Sequence, residues 1–200
     1  MKLLLTSAGL STEKLQEAFK KLLVRPIKQN KVVIIAADTT SEIFKDLLKT
    51  EKQQLTETGF IQENISIHDL SRDDPLKVKD FEVIDMFGGN PYHYLKHLRE
   101  TGLMKDIRAF IDGGGVYIGV SAGSMIMGPG IDGKLSFEVN DVGLKDLRGF
   151  GFVDFYVLPH WDWRGNRWET LCHVWVTRRR VVPLTDRQGI LVNDCNYEII

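Results

Sequence analysis

The chain alternates short, nearly continuous apolar runs with longer segments whose apolar residues recur every three or four positions. Lys2–Thr6 and Lys31–Ala36 are runs of the first kind, and Thr12–Val24 between them has helical periodicity. Apolar runs without polar alternation are typical of strands buried on both faces of a parallel sheet. The order of strand, helix and strand therefore predicts a mostly parallel sheet with helices on both faces.

The same alternation continues to the end of the chain. Further strands are predicted at Ile65–Leu70, Val83–Phe87 and Val116–Val120, and further helices at Ser41–Glu57, Pro91–Arg99, Leu103–Asp112 and from Gly123 onward. Beyond residue 150 the pattern predicts strands at Phe152–Leu158 and Val181–Leu184, a helix at Asn166–Val176, and a closing hairpin of Gly189–Val192 and Tyr197–Ile200. Because 200 residues suit one domain and no linker divides them, residues 1–200 are predicted to form a single α/β domain.

Charge and composition argue against several classes of partner. A net charge of −1 gives no electrostatic reason to expect nucleic acid or an anionic membrane, and Arg178–Arg180 is interpreted as solvated charge at a helix end. No apolar run approaches the roughly 18 residues of a membrane span, and KLLLTSAGL at the start is too short for a signal peptide. Cys172 and Cys195 lack metal-type spacing. We therefore expect a cytoplasmic protein without a metal.

The clearest chemical signal follows the predicted strand Val116–Val120. Residues 119 to 123 read GVSAG, a GxSxG pattern between a strand and a helix. In a nucleophile elbow such a turn lifts the serine hydroxyl above the sheet, and the small neighbours allow the sharp backbone bend. Ser121 is therefore a candidate nucleophile. The alternative is a glycine turn whose serine only caps the helix.

A serine nucleophile needs a base and donors for an oxyanion. His160 follows Phe152–Leu158, at the carboxyl end of a predicted strand, where ligands bind in open α/β sheets, and is the candidate base. The backbone N–H groups of Ala122 and of Gly89, in the GGNP turn after Val83–Phe87, are candidates for the oxyanion hole. The other histidines lack an apparent ligand set and are interpreted as structural or surface residues: His68, His93, His97 and His173.

Together these motifs resemble a known family. GGN after one strand, GxSAGS at a sharp turn and PH after a later strand are similar to the dipeptidase E (α-aspartyl dipeptidase) family of serine peptidases, relatives of cyanophycinase. The resemblance extends from the first strand to Asp186. It implies a three-layer, flavodoxin-like α/β fold, related to class I glutamine amidotransferase domains but with a serine nucleophile, and no cofactor.

The resemblance also implies roles for individual residues. Ser121 matches the nucleophile, His160 the general base, and Asp186, in the loop PLTDRQG, the carboxylate that orients the base. Asp141, in an Asn-Asp pair, resembles an aspartate that matters for activity in the family. Asp141 and Glu138 are alternatives to Asp186 as the acidic member of the catalytic triad. If one of them has that role, Asp186 is an ordinary turn residue.

Substrate binding is implied for four residues. Aspartyl dipeptidases hold the substrate carboxylate with an arginine that follows the histidine, and Arg167 and Arg164 occupy that region. Asn90 of the GGN turn and Asp141, which could meet a substrate amino group, complete the set. The arginines lie in a tryptophan-rich segment, residues 161–168, which is also the candidate lid. The alternative for them is solvation or stacking on tryptophan.

The leading interpretation is a serine peptidase that hydrolyses short peptides, including dipeptides with an N-terminal aspartate, through an acyl-enzyme. The expected partner of the protein is a small peptide substrate, and a homodimer is a candidate for its oligomeric state. Two alternatives remain open. One is a serine hydrolase acting on another amide or an ester, and the other is a non-catalytic α/β binding protein in which the glycine turns serve the fold.

Overall fold

A computed structural model describes residues 1–37, 39–40, 42–194 and 196–200. The strands are β1 (Lys2–Thr6), β2 (Val32–Ala36), β3 (Ile65–Asp69), β4 (Val83–Met86), β5 (Val116–Val120), β6 (Tyr156–Leu158), β7 (Val181–Pro183), β8 (Gly189–Asn193) and β9 (Asn196–Ile199). The helices are α1 (Glu13–Lys20), α2 (Glu42–Thr58), α3 (Pro91–Glu100), α4 (Leu103–Asp112), α5 (Ala122–Met125) and α6 (Arg167–Thr177).

Seven strands form one sheet in the order β3-β2-β4-β5-β1-β8-β9. The first five run parallel, β8 lies antiparallel to β1, and β9 lies antiparallel to β8. Leu4 packs on the side of α1 and α2, whereas Leu3 and Leu5 pack on the side of α3, α4 and α5. Burying each of these leucines contributes about 1.5–3 kcal/mol. The predicted three-layer, flavodoxin-like arrangement is confirmed.

The predicted elements of the first 125 residues are present with small changes at their ends. Thr12 caps α1 by accepting a hydrogen bond from the N–H of Leu15 at 3.3 Å, but the helix ends at Lys20, before the predicted Val24. Pro26, which cannot continue a helix, follows shortly afterwards. Ser41, the predicted start of the next helix, lies outside the described residues, and α2 is described from Glu42.

The prediction for Phe152–Leu158 was wrong in extent. Only the last three of these residues form β6, which pairs with β7 in a separate two-stranded parallel sheet. The N–H groups of Phe152 and Val153 both donate to the carbonyl of Met127, at 3.0 and 3.3 Å, so the backbone is still turning where a strand was expected. Apolar residues at 152, 153 and 155 pack into the core from this turn, which explains why the run resembles a strand.

The pairing of β6 with β7 brings the two following loops together. Leu158 is opposite Pro183 in the register, and the N–H of Leu184 donates to the Leu158 carbonyl at 2.9 Å. Beyond the strands, the N–H of Trp161 donates to the Leu184 carbonyl at 2.9 Å. Residues that follow β6 and β7 therefore lie side by side.

Two of the three arginines in the basic run Arg178–Arg180 form ion pairs, so the run is not only solvated charge at a helix end. Arg179 forms an ion pair with the buried Asp132 at 2.7 Å, and Arg180 forms one with Asp154 at 2.5 Å. Arg178 ends α6 in a left-handed backbone conformation, with φ 52°. Among the described helices, none is both long enough and apolar enough to cross a bilayer.

Candidate active site

Ser121 lies at the sharp turn between β5 and α5. Its backbone, with φ 49° and ψ −107°, is in a region that residues with a side chain rarely adopt. The turn requires glycine on both sides: a Cβ on Gly123 would lie 2.0 Å from the Met86 carbonyl oxygen, and one on Gly119 would lie 2.8 Å from a backbone nitrogen of α5. The N–H of Ser121 donates to the Thr6 carbonyl at 3.0 Å, which fixes the turn at the carboxyl ends of β1 and β5.

Ser121, His160 and Asp186 lie in one chain of contacts. Ser121 Oγ is 2.9 Å from His160 Nε2, and His160 Nδ1 is 2.6 Å from Asp186 Oδ1. Because an ionised carboxylate only accepts hydrogen bonds, the proton belongs on Nδ1, and Nε2 is left to accept from the serine hydroxyl. The adjacent loops after β6 and β7 create this arrangement, and His160 enters it with a left-handed backbone, φ 60°.

Ser7, which no sequence motif marks, joins the same contacts. Its Oγ donates to Asp186 Oδ1 at 2.6 Å and accepts the backbone N–H of His160 at 2.8 Å. Ser7 directly follows β1, which pairs in parallel with β5. The available signal was this position after a predicted parallel strand, but the sequence Thr-Ser-Ala-Gly equally suits an ordinary turn.

Trp163 gives Asp186 a further donor. Its Nε1 donates to Asp186 Oδ2 at 2.7 Å, and its ring stacks on Phe137 with centroids 5.6 Å apart. Burial works to raise the pKa of Asp186, but hydrogen bonds from Ser7, Trp163 and His160 together outweigh it and lower the pKa. The carboxylate is therefore kept ionised, as it must be to orient His160 and to stabilise a protonated imidazole.

A cavity of about 510 Å³ opens beside Ser121. Its volume lies within the range of small-molecule sites, roughly 300–1,000 Å³. Much of the wall is apolar and includes Phe44, Leu47, Phe87, Met125, Leu135 and Phe137. Neither lysine nor arginine is present among the described residues that line it. The arrangement can hold a small, largely apolar molecule against a base-assisted hydroxyl group.

The two oxyanion candidates lie on segments next to Ser121. Ala122 is the first residue of α5, where a helix leaves N–H groups without an intrahelical acceptor. Gly89 has φ 139°, and a Cβ on its neighbour Gly88 would lie 3.7 Å from Ser121 Cβ, so the GGN turn packs against the serine. A side chain at Gly89 would be strained in that conformation.

Asn90 and Asp141 have other contacts in the structure. The Asn90 side chain caps α3, and Asp141 Oδ1 lies 2.7 Å from His93 Nε2. Neither is among the described residues that line the cavity, whereas Glu138 is. The carboxylate that contacts the His160 ring is that of Asp186.

Arg164 and Arg167, the two arginine candidates for substrate binding, also contact other groups of the chain. Arg164 is 3% exposed, lies 4.0 Å over the Phe137 ring and donates to the Leu135 carbonyl. The guanidinium of Arg167 donates to the carbonyls of residues 161 and 162. Neither arginine is among the described residues of the cavity wall, although Arg164 Nε has no hydrogen-bond partner within the described part of the chain.

No group of three histidine, cysteine or acidic side chains is arranged to hold a metal within the described ranges. His93 pairs with Asp141, and His173 lies 2.7 Å from Asp132. Cys172 is an exposed free thiol, and Cys195 lies outside the described residues.

Comparison with curated proteins finds relatives that are named as peptidases. An uncharacterised peptidase of Pasteurella multocida is 34% identical over 122 residues, 59% of each chain. Peptidase E of a Nostoc species is 36% identical over 84 residues, 42% of this chain and 34% of its own. The aligned residues therefore cover about three fifths of the length of the Pasteurella protein and about one third of the length of the Nostoc protein. An uncharacterised peptidase of Listeria monocytogenes is 30% identical over 168 residues, covering 80% of this chain and 81% of its own.

Solved structures share the fold. A candidate Peptidase E from Listeria monocytogenes EGD-e superimposes with a TM-score of 0.81 at 23% identity, over 100% of this chain and 97% of that one. A peptidase from an acI-B1 Actinobacterium gives a TM-score of 0.69 at 19% identity, over 100% and 86%. The family model described as Peptidase family S51 matches residues 3–200. The resemblance stated from the motifs is thus confirmed, and the chain belongs to peptidase family S51.

Proposed function

We propose that this protein is a serine peptidase that hydrolyses short peptides, with Ser121 as nucleophile, His160 as general base and Asp186 as the carboxylate that orients it. The observation that carries the proposal is the pair of distances, 2.9 Å from Ser121 Oγ to His160 Nε2 and 2.6 Å from His160 Nδ1 to Asp186 Oδ1, beside a cavity of about 510 Å³. Membership of a peptidase family supports peptide hydrolysis as the reaction.

In this proposal, Ser121 Oγ attacks the carbonyl carbon of the scissile peptide bond while His160 Nε2 takes the hydroxyl proton. The N–H groups of Ala122 and Gly89 stabilise the oxyanion that forms. The tetrahedral intermediate collapses, the C–N bond breaks, and His160 gives its proton to the leaving amine. A water molecule, deprotonated by His160, then attacks the acyl-enzyme and releases the carboxylic acid and Ser121. The protein needs no cofactor for these steps.

The central test is the Ser121→Ala variant on a panel of dipeptides and tripeptides. We expect the turnover number to fall by about 10⁴-fold or more, as when the nucleophile of a serine enzyme is removed, with an unchanged circular dichroism spectrum. Ser66→Ala is the matched control, because Ser66 is exposed on β3 and should leave activity unchanged. Full activity in Ser121→Ala would end the proposal. A parallel panel of simple esters separates a peptidase from a general esterase.

A further inference from the structure

Two aromatic rings border His160 on the wall of the cavity. Phe137 and Trp163 both line the cavity, and their rings stack with centroids 5.6 Å apart and an angle of 5° between the planes. The centroid of the Trp163 ring lies 4.8 Å from that of the His160 ring, and the centroid of the Phe137 ring lies 6.3 Å from it. We call Phe137 and Trp163 the aromatic pair.

The aromatic pair leaves a large apolar surface in contact with solvent. The exposed fraction is 48% for Phe137 and 60% for Trp163. Aromatic side chains bury about 150–250 Å² each when they are covered. Because exposed apolar surface is unfavourable in water, an apolar group that enters the cavity and covers the two rings would be bound favourably.

Contacts with neighbouring side chains hold the aromatic pair in position. Trp163 Nε1 donates to Asp186 Oδ2 at 2.7 Å. The buried guanidinium of Arg164 lies 4.0 Å over the Phe137 ring and donates to the carbonyl of Leu135, on the same segment as Phe137. A surface that is already fixed before the ligand arrives loses little conformational freedom on binding.

The proposed reaction indicates which part of a peptide lies next to the aromatic pair. His160 Nε2 gives its proton to the leaving nitrogen, so this nitrogen must come within about 3 Å of Nε2. The side chain of the residue that follows the scissile bond begins two bonds, about 2.5 Å, from the same nitrogen. Because the aromatic pair adjoins the His160 ring, that side chain is within reach of it. The acyl part of the substrate is instead bonded to Ser121.

We propose that Phe137 and Trp163 form the subsite for the side chain of the residue that follows the scissile bond, and that they select large apolar and aromatic side chains there. The inference rests on the proposed peptidase function and adds a substrate class to it: peptides with an apolar residue on the leaving side. Aromatic side chains should be favoured most, because stacked or edge-to-face contacts between rings add to the effect of burial.

Two dipeptides of the same composition, Ala-Phe and Phe-Ala, test the inference, with Ala-Ala as the reference. For the wild type, kcat/KM for Ala-Phe should exceed that for Ala-Ala by about 10- to 100-fold, the range for burying one phenyl side chain. Phe137→Ala should remove most of this preference and leave the ratio of Phe-Ala to Ala-Ala unchanged. Phe137→Leu keeps an apolar side chain and should retain part of the preference.

Trp163 has two contacts that substitutions can separate. Trp163→Phe keeps a ring but removes the N–H that donates to Asp186, so kcat should fall by a similar factor for Ala-Phe and Ala-Ala while their ratio persists. Trp163→Ala removes both contacts, and the ratio should fall as well. Trp175→Ala is the matched control, because Trp175 is an exposed tryptophan of α6 outside the described cavity wall, and it should preserve the ratio.

Calorimetric binding to the non-cleaving Ser121→Ala protein gives a readout that does not depend on turnover. Ala-Phe should bind about 10- to 100-fold more tightly than Ala-Ala. Adding Phe137→Ala should remove the difference, and adding Trp175→Ala should preserve it.

A wild type that cleaves Ala-Phe and Ala-Ala equally well would overturn the inference and leave the peptidase proposal intact. If Phe137→Ala lost a preference for Phe-Ala and kept that for Ala-Phe, the aromatic pair would belong to the acyl side and the leaving-side assignment would be wrong. Tighter binding of Ala-Phe that depends on Phe137, in a protein whose wild type neither cleaves peptides nor reacts at Ser121, would support the aromatic subsite and refute the peptidase proposal. The absence of both cleavage and binding would overturn both claims.

Discussion

At the scale of single residues, Asp186 has more donors than the orientation of one imidazole requires. Ser7 and Trp163 both donate to it, in addition to His160. Ser7→Ala would remove one donor and leave the backbone N–H of His160 without its acceptor. We expect kcat/KM to fall by about 10- to 100-fold, the effect of losing a hydrogen bond to a charged group. Steady-state kinetics measures it with Ser66→Ala as control; an unchanged kcat/KM would mean that Ser7 has no positioning role.

Glu51 should lower stability at neutral pH. Burial raises its pKa from 4.5 to about 7 in the folded protein, so the folded state holds a proton that the unfolded state has already released. The contribution of Glu51 to stability should therefore be fully present below about pH 4.5 and be lost as the pH rises through about 7. Glu51→Gln should raise the melting temperature at pH 8 and change it little at pH 4. Calorimetry of both proteins at both pH values tests this; equal melting temperatures at pH 8 would contradict it.

The candidate site could be predicted from sequence only where a local pattern marks a residue. Ser121 stands in a glycine turn between a strand and a helix, and His160 and Asp186 follow short apolar runs. Ser7, Trp163 and Glu51 have no such pattern, because their roles depend on which loops and helix faces meet in the folded chain. For the same reason, sequence could not indicate that Arg167 donates to nearby carbonyls.

At the scale of elements, the turn from β5 to α5 is the most demanding segment. A Cβ at Gly123 would meet the Met86 carbonyl oxygen at 2.0 Å, a backbone atom that cannot move without disturbing β4. Gly123→Ala should therefore destabilise the protein by about 3 kcal/mol or more, the range for severe overpacking. Gly165→Ala is the control, because a Cβ there meets nothing within 4 Å. Urea unfolding of the two variants measures the difference in stability. Equal midpoints would contradict the prediction that a side chain at position 123 destabilises the turn.

Strands β1, β2, β4 and β5 could be predicted because they are buried on both faces and form nearly continuous apolar runs in the sequence. The same pattern wrongly predicted a strand before β6. Phe152 and Val153 are apolar, but they belong to a turn whose N–H groups donate to the Met127 carbonyl. Apolar character reports burial, whereas hydrogen-bond partners distant in sequence decide whether a buried segment is a strand.

At the scale of the whole molecule, the cavity should select the substrate. Its described wall combines apolar side chains with Glu51 and Glu138 and holds neither lysine nor arginine. An N-terminal aspartate would therefore bring a carboxylate towards carboxylates. We expect kcat/KM for Leu-Ala to exceed that for Asp-Ala by about 10-fold or more, which competition kinetics would measure. A preference for Asp-Ala would contradict this and would require Arg167 or Arg164 to leave its present contacts.

The single domain and the homodimer stay predictions. A single domain should unfold in one cooperative transition, and a homodimer should give twice the chain mass of 22.8 kDa in light scattering. Helix α6 exposes Trp168, Leu171 and Trp175, and exposed apolar patches mark contact surfaces on many proteins. A monomer mass across the micromolar range would contradict the homodimer.

We propose that the contacts from Ser121 to His160 and from His160 to Asp186 activate Ser121 as a nucleophile. The most direct measurement is intact-mass spectrometry after exposure to a fluorophosphonate, in wild type and in Ser121→Ala. We predict one covalent adduct on the wild type, formed at a rate that falls sharply in His160→Ala, and no adduct on Ser121→Ala. An unmodified wild type, or an adduct that persists in Ser121→Ala, would contradict the claim.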